Sequence, residues 1–218
     1  MLFRSGWLDH PGLLVVLISS SVFAVQVLAR DLRRHNRRIA PLMKLVWVLT
    51  VIYSGFLGLA VYFYAGRRQI RRDTVWRRGF RSVAHCYSGC GAGEVAGLLL
   101  ASLIGLSVSA YVAVLTFMLA FAAGLALTIG PLSADGVPLG TATKDALYSE
   151  SLSIVVMEAV AIGLDIGLAG SAAPSDVRFW TVLFLSLSAG LLAAYPVNVW
   201  LIRKGVKSGM ANPQGSPA

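Results

Sequence analysis

The sequence predicts an all-α protein, a polytopic bundle of about six transmembrane helices. Hydrophobic residues make up 56% of the 218 residues, charged residues only 13%, and the mean hydropathy is +0.72. So little charge does not cover the surface of a water-soluble globule of this size. Residues 95–134 contain no charged side chain, and one helix of that length would run about 60 Å, twice the thickness of a bilayer core. This stretch therefore predicts two spans joined by a turn near Gly105, Ser107 and Ser109.

Six apolar windows predict the helices. They lie near residues 12–29, 42–64, 82–105, 109–131, 147–170 and 178–202. Together they predict a single transmembrane domain over residues 1–210, followed by a polar tail over residues 211–218 that we expect to be disordered. A helical bundle suits six such windows because backbone groups inside hydrocarbon must be paired within the protein. Arg4 is the only cationic residue before the first window, and no small-residue cleavage site follows the window. We therefore expect a retained helix rather than a signal peptide.

The net charge of +9 comes from 19 Lys and Arg against 10 Asp and Glu. These cations stand in blocks beside the apolar windows, where they set topology and meet anionic headgroups, and no nucleic-acid motif accompanies them. We therefore expect lipid rather than nucleic acid as the partner of these cations. Counted over the predicted loops, twelve cations lie on one side and seven on the other. This small excess favours both termini in the cytoplasm.

The densest basic block lies between the second and third windows. Its arginines alternate with Ile70, Trp76 and Phe80. This pattern predicts either an interfacial segment in contact with anionic headgroups or a solvated loop that only sets orientation. The arginines are Arg67, Arg68, Arg71, Arg72, Arg77, Arg78 and Arg81.

The third window begins with a cluster of residues whose side chains can bind a metal ion or ionise. On a helix, Cys86, Cys90 and Glu94 lie four apart on one face, with His85 beside them. Thiolates suit Cu(I) and other thiophilic ions, and imidazole suits copper or zinc. The sequence predicts a metal site here, with Glu94 as counter-charge. Two alternatives stay open, a pair of cysteines that only packs and a redox-active dithiol.

A stripe of small residues runs beside the ligand stripe. Gly89, Gly93 and Gly97 are also four apart. Such a face lets a neighbouring helix approach closely. It predicts helix packing, either within the bundle or against a partner protein or second copy.

The fifth window contains acidic residues without an evident cationic partner in the same span. They are Glu150, Glu158 and Asp165, and Met157 precedes Glu158. Residues seven apart share a helix face, so Glu158 and Asp165 predict a proton or cation path, with Met157 as an added thioether. Alternatively, these groups face a polar interior and hydrogen-bond to the backbone.

No enzyme signature accompanies these residues. The sequence contains no P-loop, no G-x-S-x-G elbow and no paired C-x-x-C motif, and its only histidines are His10, His35 and His85. Nothing in the sequence therefore predicts a hydrolase or an ATPase.

Four groups of residues along the chain form one pattern: Asp31 with Trp47, Thr50, Tyr53 and Gly55; His85, Cys86, Gly89, Cys90, Gly93 and Glu94; Asp145 and Ser149; and Tyr195, Pro196, Asn198, Gly205, Lys207, Gly209 and Met210. This pattern resembles a prokaryotic membrane family, the domain of unknown function 4396 family, some of whose members are labelled copper oxidases. The resemblance implies a multi-helix fold in a prokaryotic plasma (inner) membrane and points to copper. It implies no reaction.

Three functional hypotheses follow from the sequence. The first is binding or transport of a thiophilic metal ion, most readily Cu(I), by His85, Cys86, Cys90 and Glu94. The second is a structural or assembly subunit of a larger membrane complex that packs through its glycine face. The third is a proton-coupled transporter that uses buried carboxylates.

Overall fold

A computed structural model describes residues 6–106, 109–210 and 213 of the chain. Within these residues the fold is all-α and free of strands, as predicted. After a short 3-10 turn, the helices are α1 (Pro11–Arg34), α2 (Pro41–Val61, extended by a π turn over Tyr62–Gly66), α3 (Val75–Leu103), α4 (Ser109–Ala134), α5 (Leu139–Leu164, extended by a π turn over Asp165–Ala169) and α6 (Val177–Arg203). All six are long and apolar enough to cross a membrane.

Two helices begin earlier than the apolar windows predicted. α3 begins at Val75 instead of residue 82, and α5 at Leu139 instead of residue 147. The Thr74 hydroxyl accepts a hydrogen bond from the backbone N–H of Arg77 and caps α3. The basic first turns of α3 lower its hydropathy, so an apolar window misses them. The turn after α3 contains Gly105 at φ +70°. Ser107, Arg4 and the tail apart from Pro213 lie outside the described residues.

The second helix folds back on itself. At Gly55 the backbone has φ +53° and ψ −125°, which breaks α2. The ring centroids of Trp47 and Tyr62 are 5.4 Å apart, whereas a straight helix would separate these residues by about 22 Å. A Cβ built on Gly66 would lie 2.5 Å from the Trp47 ring. The predicted span over residues 42–64 is therefore a helical hairpin that enters and leaves at the same end of the bundle.

Local residues explain the break in α2. A positive φ is open to glycine and strained for other residues. Near the break, the Ile52 carbonyl accepts a hydrogen bond of 3.0 Å from the Ser21 hydroxyl of α1. Inside hydrocarbon a backbone group freed from a helix needs such a partner. Thus α1, which otherwise packs little of its surface, stabilises the tip of the hairpin.

Ion pairs and hydrogen bonds define the two ends of the bundle. Asp9, just before α1, pairs with Arg178 at the start of α6 at 3.4 Å, and this end is called the far end. At the other end, Arg78 and Arg81 near the start of α3 donate to the carbonyls of Ser208 and Met210 after α6. The chain therefore enters at the far end and leaves at the opposite one. The two termini therefore lie at opposite ends of the bundle. The prediction that both lie on one side was wrong, because it assumed that α2 crosses the membrane completely.

The hairpin also separates the charges. Of the 19 Lys and Arg, Arg178 lies at the far end and Arg4 lies outside the described residues. The remaining 17 (19 less 2) flank the connections α1–α2, α2–α3 and α4–α5 or the end of α6, and this end is called the basic end. The predicted distribution of twelve cations on one side and seven on the other is thus replaced by one in which nearly all the cations lie at the basic end.

Membrane-impermeant maleimide labelling of single cysteines checks this topology. In a Cys86→Ser/Cys90→Ser background, we expect Arg38→Cys and Arg71→Cys to label from one side of the membrane and Ser175→Cys from the other. A straight α2 would place positions 38 and 71 on opposite sides. Labelling of those two positions from opposite sides would overturn the hairpin.

Candidate functional site

The two cysteines lie together in the centre of the bundle. Their Sγ atoms are 3.8 Å apart on consecutive turns of α3, and both thiols are free and buried. His85 is buried beside them, with no hydrogen-bond partner for its Nε2 among the described residues. Glu94, one turn beyond Cys90, is fully buried. The structure therefore places all four predicted residues inside the protein, along α3, which packs against α2, α4, α5 and α6.

The four residues do not form one ligand set. Across the described residues, no group of three or more His, Cys, Asp or Glu side chains is arranged to hold a metal ion. The thiols form a pair, His85 lies within electrostatic range of Lys207, and Glu94 is directed to the acids of α5. The ligand stripe is thus divided among three neighbourhoods along α3.

Glu94, Glu158 and Asp165 form an acidic cluster between α3 and α5. Glu94 interacts electrostatically with Glu158 and Asp165. The Cys90 thiol faces Glu158. All four carboxylate oxygens of Glu94 and Glu158 are buried, and none has a hydrogen-bond partner in the described part of the chain. A charged carboxylate in such a place is costly unless a proton or a cation joins it.

The end of α5 places Asp165 in this cluster. At Asp165 the α-helix gives way to the π turn, and π turns occur frequently at functional sites. Glu158 and Asp165 interact, as residues on one helix face do. Met157 lies on another face and packs in the core against Gly190 of α6, where a Cβ would be 3.0 Å from its Cγ. Met157 is therefore a packing residue in this structure.

A cavity at the far end reaches Asp165 of the acidic cluster. It has a volume of about 350 Å³ and lies between the far-end halves of α3, α4, α5 and α6. Asp165 lines it, as does Thr116, whose buried Oγ1 has no hydrogen-bond partner among the described residues. Asp165 thus lies between the cavity and the fully buried Glu94.

The glycine face of α3 packs against α4 of the same chain. A Cβ on Gly89 would lie 2.8 Å from the Ala123 carbonyl oxygen, and one on Gly97 2.8 Å from the Cα of Thr116. At Gly93 a Cβ would lie 2.6 Å from the Cα of Ala120. The helices approach backbone to backbone, as in other small-residue interfaces. A partner protein cannot use this face without displacing α4.

A second polar cluster lies towards the basic end, and sequence reasoning missed it. The Lys207 amine bonds to Glu150 at 2.6 Å and to the Asn198 side-chain oxygen at 2.7 Å, and that oxygen also accepts from Ser82. Glu150, predicted to lack a cationic partner in its span, is therefore paired from beyond α6. The apolar windows do not indicate this contact, because Lys207 follows the last window, where a lysine is normally a surface cation.

The seven predicted headgroup arginines have different surroundings. Arg81 is only 1% exposed and pairs with both carboxylate oxygens of Asp73 at 2.7 Å. It is thus unavailable to headgroups. Arg67 pairs with Asp31 at 2.8 Å. Arg71 and Arg72 are exposed on the segment between α2 and α3, where a headgroup can reach them.

These features define an integral membrane helical bundle with a buried acidic cluster. A family model described as Domain of unknown function (DUF4396) matches residues 75–207. The chain belongs to this family. The match begins with α3 and ends on Lys207, so it contains the thiols and both polar clusters. No curated protein and no solved structure matches the chain.

Substitution of Gly93 by Ala tests the contact of α3 with α4. The added Cβ would meet the backbone near Ala120, which cannot move as a side-chain tip can, so we expect a loss of roughly 1–3 kcal/mol in the free energy of unfolding. Gly130→Ala in α4 is the matched control, since its Cβ would meet open space. Thermal melting in detergent measures both. Equal melting temperatures for the two variants would contradict the close approach.

Proposed function

We propose that this protein is a proton-coupled transporter whose acidic cluster binds and passes protons. The observation that supports this best is the set of four buried carboxylate oxygens on Glu94 and Glu158 without donors among the described residues. These acids lie beside Asp165, which reaches a cavity. A set of ion pairs would have supported a purely structural role instead.

Elementary electrostatics explains what such a cluster does. Neighbouring carboxylates in a medium of low dielectric constant repel one another, and their charged forms are poorly solvated. A proton relieves both costs, because a carboxylic acid donates a hydrogen bond to the carboxylate beside it. The cluster therefore exchanges protons with any water that reaches Asp165 through the cavity. Coupling of this exchange to a change in helix packing would drive transport.

The charge segregation supports a direction for this exchange. Cytoplasmic loops carry an excess of Lys and Arg, and 17 of the 19 cations flank the basic end while Arg4 lies outside the described residues. We place the basic end in the cytoplasm of a prokaryotic cell, next to the anionic inner leaflet of the plasma (inner) membrane. Exposed arginines such as Arg71 and Arg72 then contact lipid headgroups. The cavity at the far end opens to the outside.

Proton flux into proteoliposomes under an imposed pH gradient tests the proposal. We expect Glu94→Gln, Glu158→Gln and Asp165→Asn each to lower the flux at least tenfold, because each removes a group that exchanges a proton. Asp145→Asn is the matched control, since Asp145 is an exposed carboxylate on the same helix as Glu158 and Asp165. Flux at the wild-type level in all three cluster variants would refute proton transfer through these acids.

A second candidate function is Cu(I) binding by the thiol pair. Two sulfur atoms about 2.3 Å from one ion at a tetrahedral angle lie about 3.8 Å apart, and the Sγ atoms of Cys86 and Cys90 are separated by 3.8 Å. Soft thiolates are the ligands that Cu(I) prefers. Copper would be cargo or a resident ion at this position.

Metal analysis of the purified protein after incubation with Cu(I) tests this candidate. We expect about one copper per chain for the wild type, and its loss in Cys86→Ser and in Cys90→Ser, since one thiol does not chelate. Ser88→Ala, on the same stretch of α3, is the control and retains the metal. Equal copper content in all four proteins would exclude the thiol site.

A further inference from the structure

Lys207 is a buried cation at the basic end of the bundle. Its side chain is 4% exposed, although the residue follows the end of α6. The amine has three polar neighbours, the carboxylate of Glu150, the side-chain oxygen of Asn198 and, at 3.5 Å, the hydroxyl of Ser153. These neighbours belong to α5 and α6. A buried ammonium needs such partners, because its desolvation is costly.

The amine lies on the basic-end side of the buried polar residues of α3. Asn198, which it contacts, accepts a hydrogen bond from Ser82. Ser82 precedes His85 by three residues, or about 4.5 Å of helix on the side of the basic end. The buried Nε2 of His85 has no partner among the described residues, and Lys207 acts on His85 electrostatically. The ammonium thus lies between His85 and the cytoplasmic end of the bundle.

The segment that holds Lys207 in place has its own attachment points. Gly205 and Gly209 have φ values of +72° and +74°, which let the chain turn back towards the bundle after α6. Beyond Lys207, the carbonyl of Ser208 accepts from Arg78 at 3.3 Å. The carbonyl of Met210 accepts from the buried Arg81 at 3.2 Å, so two arginines of α3 each donate one hydrogen bond to the backbone of this segment. The ion pair with Glu150 is the contact between opposite charges that attaches the segment to α5.

We propose that the Lys207–Glu150 ion pair is the cytoplasmic gate of the proton path. This inference rests on the proposed proton transport and adds a second site to the proton path, at its cytoplasmic end. A proton that travels along the path converts the Glu150 carboxylate to the acid. Lys207 keeps its three protons but loses its counter-charge. The segment over residues 204–210 then moves out, and His85 and the thiols become accessible from the cytoplasm.

The native thiols report the state of the gate. In sealed vesicles of the full-length protein, an impermeant maleimide on the basic-end side measures the labelling rate of Cys86 and Cys90. We expect Glu150→Gln, which mimics the protonated acid, to raise this rate at least tenfold. The double variant Glu150→Gln/Lys207→Gln does the same without an unpaired buried charge. Lys204→Gln is the control, because Lys204 is an exposed lysine on the same segment.

The outcomes separate this inference from the proposed transport. Labelling at the wild-type rate in the folded double variant, as judged by its melting temperature, would overturn the gate even if Glu94, Glu158 and Asp165 prove essential for flux. Faster labelling of the double variant from the basic-end side supports the gate even if flux does not depend on those acids. Equally fast labelling in Lys204→Gln would also overturn it, because the effect would then not depend on the ion pair.

Discussion

The backbone reversal at Gly55 determines the arrangement of the rest of this protein. One residue with positive φ turns an apolar stretch of spanning length into a hairpin, and this sets the direction of every later helix. Because α2 returns to the end where it entered, α3 starts beside the segment after α6, and their contacts unite Arg78 with Ser208. The same reversal gathers the cations at the basic end. A hairpin in hydrocarbon depends on pairing of its freed backbone groups, which makes the Ser21 hydroxyl on α1 part of this arrangement.

The centre of the bundle shows how α3 accommodates polar groups inside a membrane. Its glycine face lets α4 approach closely on one side. Cys90, whose Sγ also lies against Gly124 of α4, interacts electrostatically with Glu158 of α5. Glu94 interacts with both Glu158 and Asp165. Close packing and polar chemistry are therefore complementary, because small residues bring the backbones together and exclude bulk water. Without bulk water the acids depend on protons, on bound ions or on the cavity at the far end.

Much of this organisation was predictable from sequence, and the failures have physical reasons. Hydropathy identified the fold class and six apolar helices, since burial in lipid leaves a strong compositional signal. The four-residue spacing put Cys86 and Cys90 on one face, and their Sγ atoms lie 3.8 Å apart. The seven-residue spacing put Glu158 and Asp165 on one face, and these two residues interact. The α2 hairpin was not predicted, because a glycine such as Gly55 is common in apolar helices and the sequence does not give its φ angle. The burial of Lys207 was not predicted either, because a lysine beyond the last apolar window is normally a surface residue. The partner of Glu150 is 57 residues away, a separation at which local periodicity predicts nothing.

The two polar clusters lie close to each other along α3. From Ser82, at the level of Lys207, to Glu94 is twelve residues, or about 18 Å of helix, which is shorter than the roughly 30 Å of a bilayer core. The far-end cavity, which reaches Asp165, covers the remaining depth on one side. The segment after α6 covers it on the other. Along these 18 Å, His85, Cys86 and Cys90 occupy the space between the clusters, so no interval longer than about one turn lacks an ionisable group. An arrangement with a cavity at one end and an ion pair at the other is asymmetric, and the proposed transport requires such asymmetry, because a transporter exposes one site to the two sides of the membrane in turn.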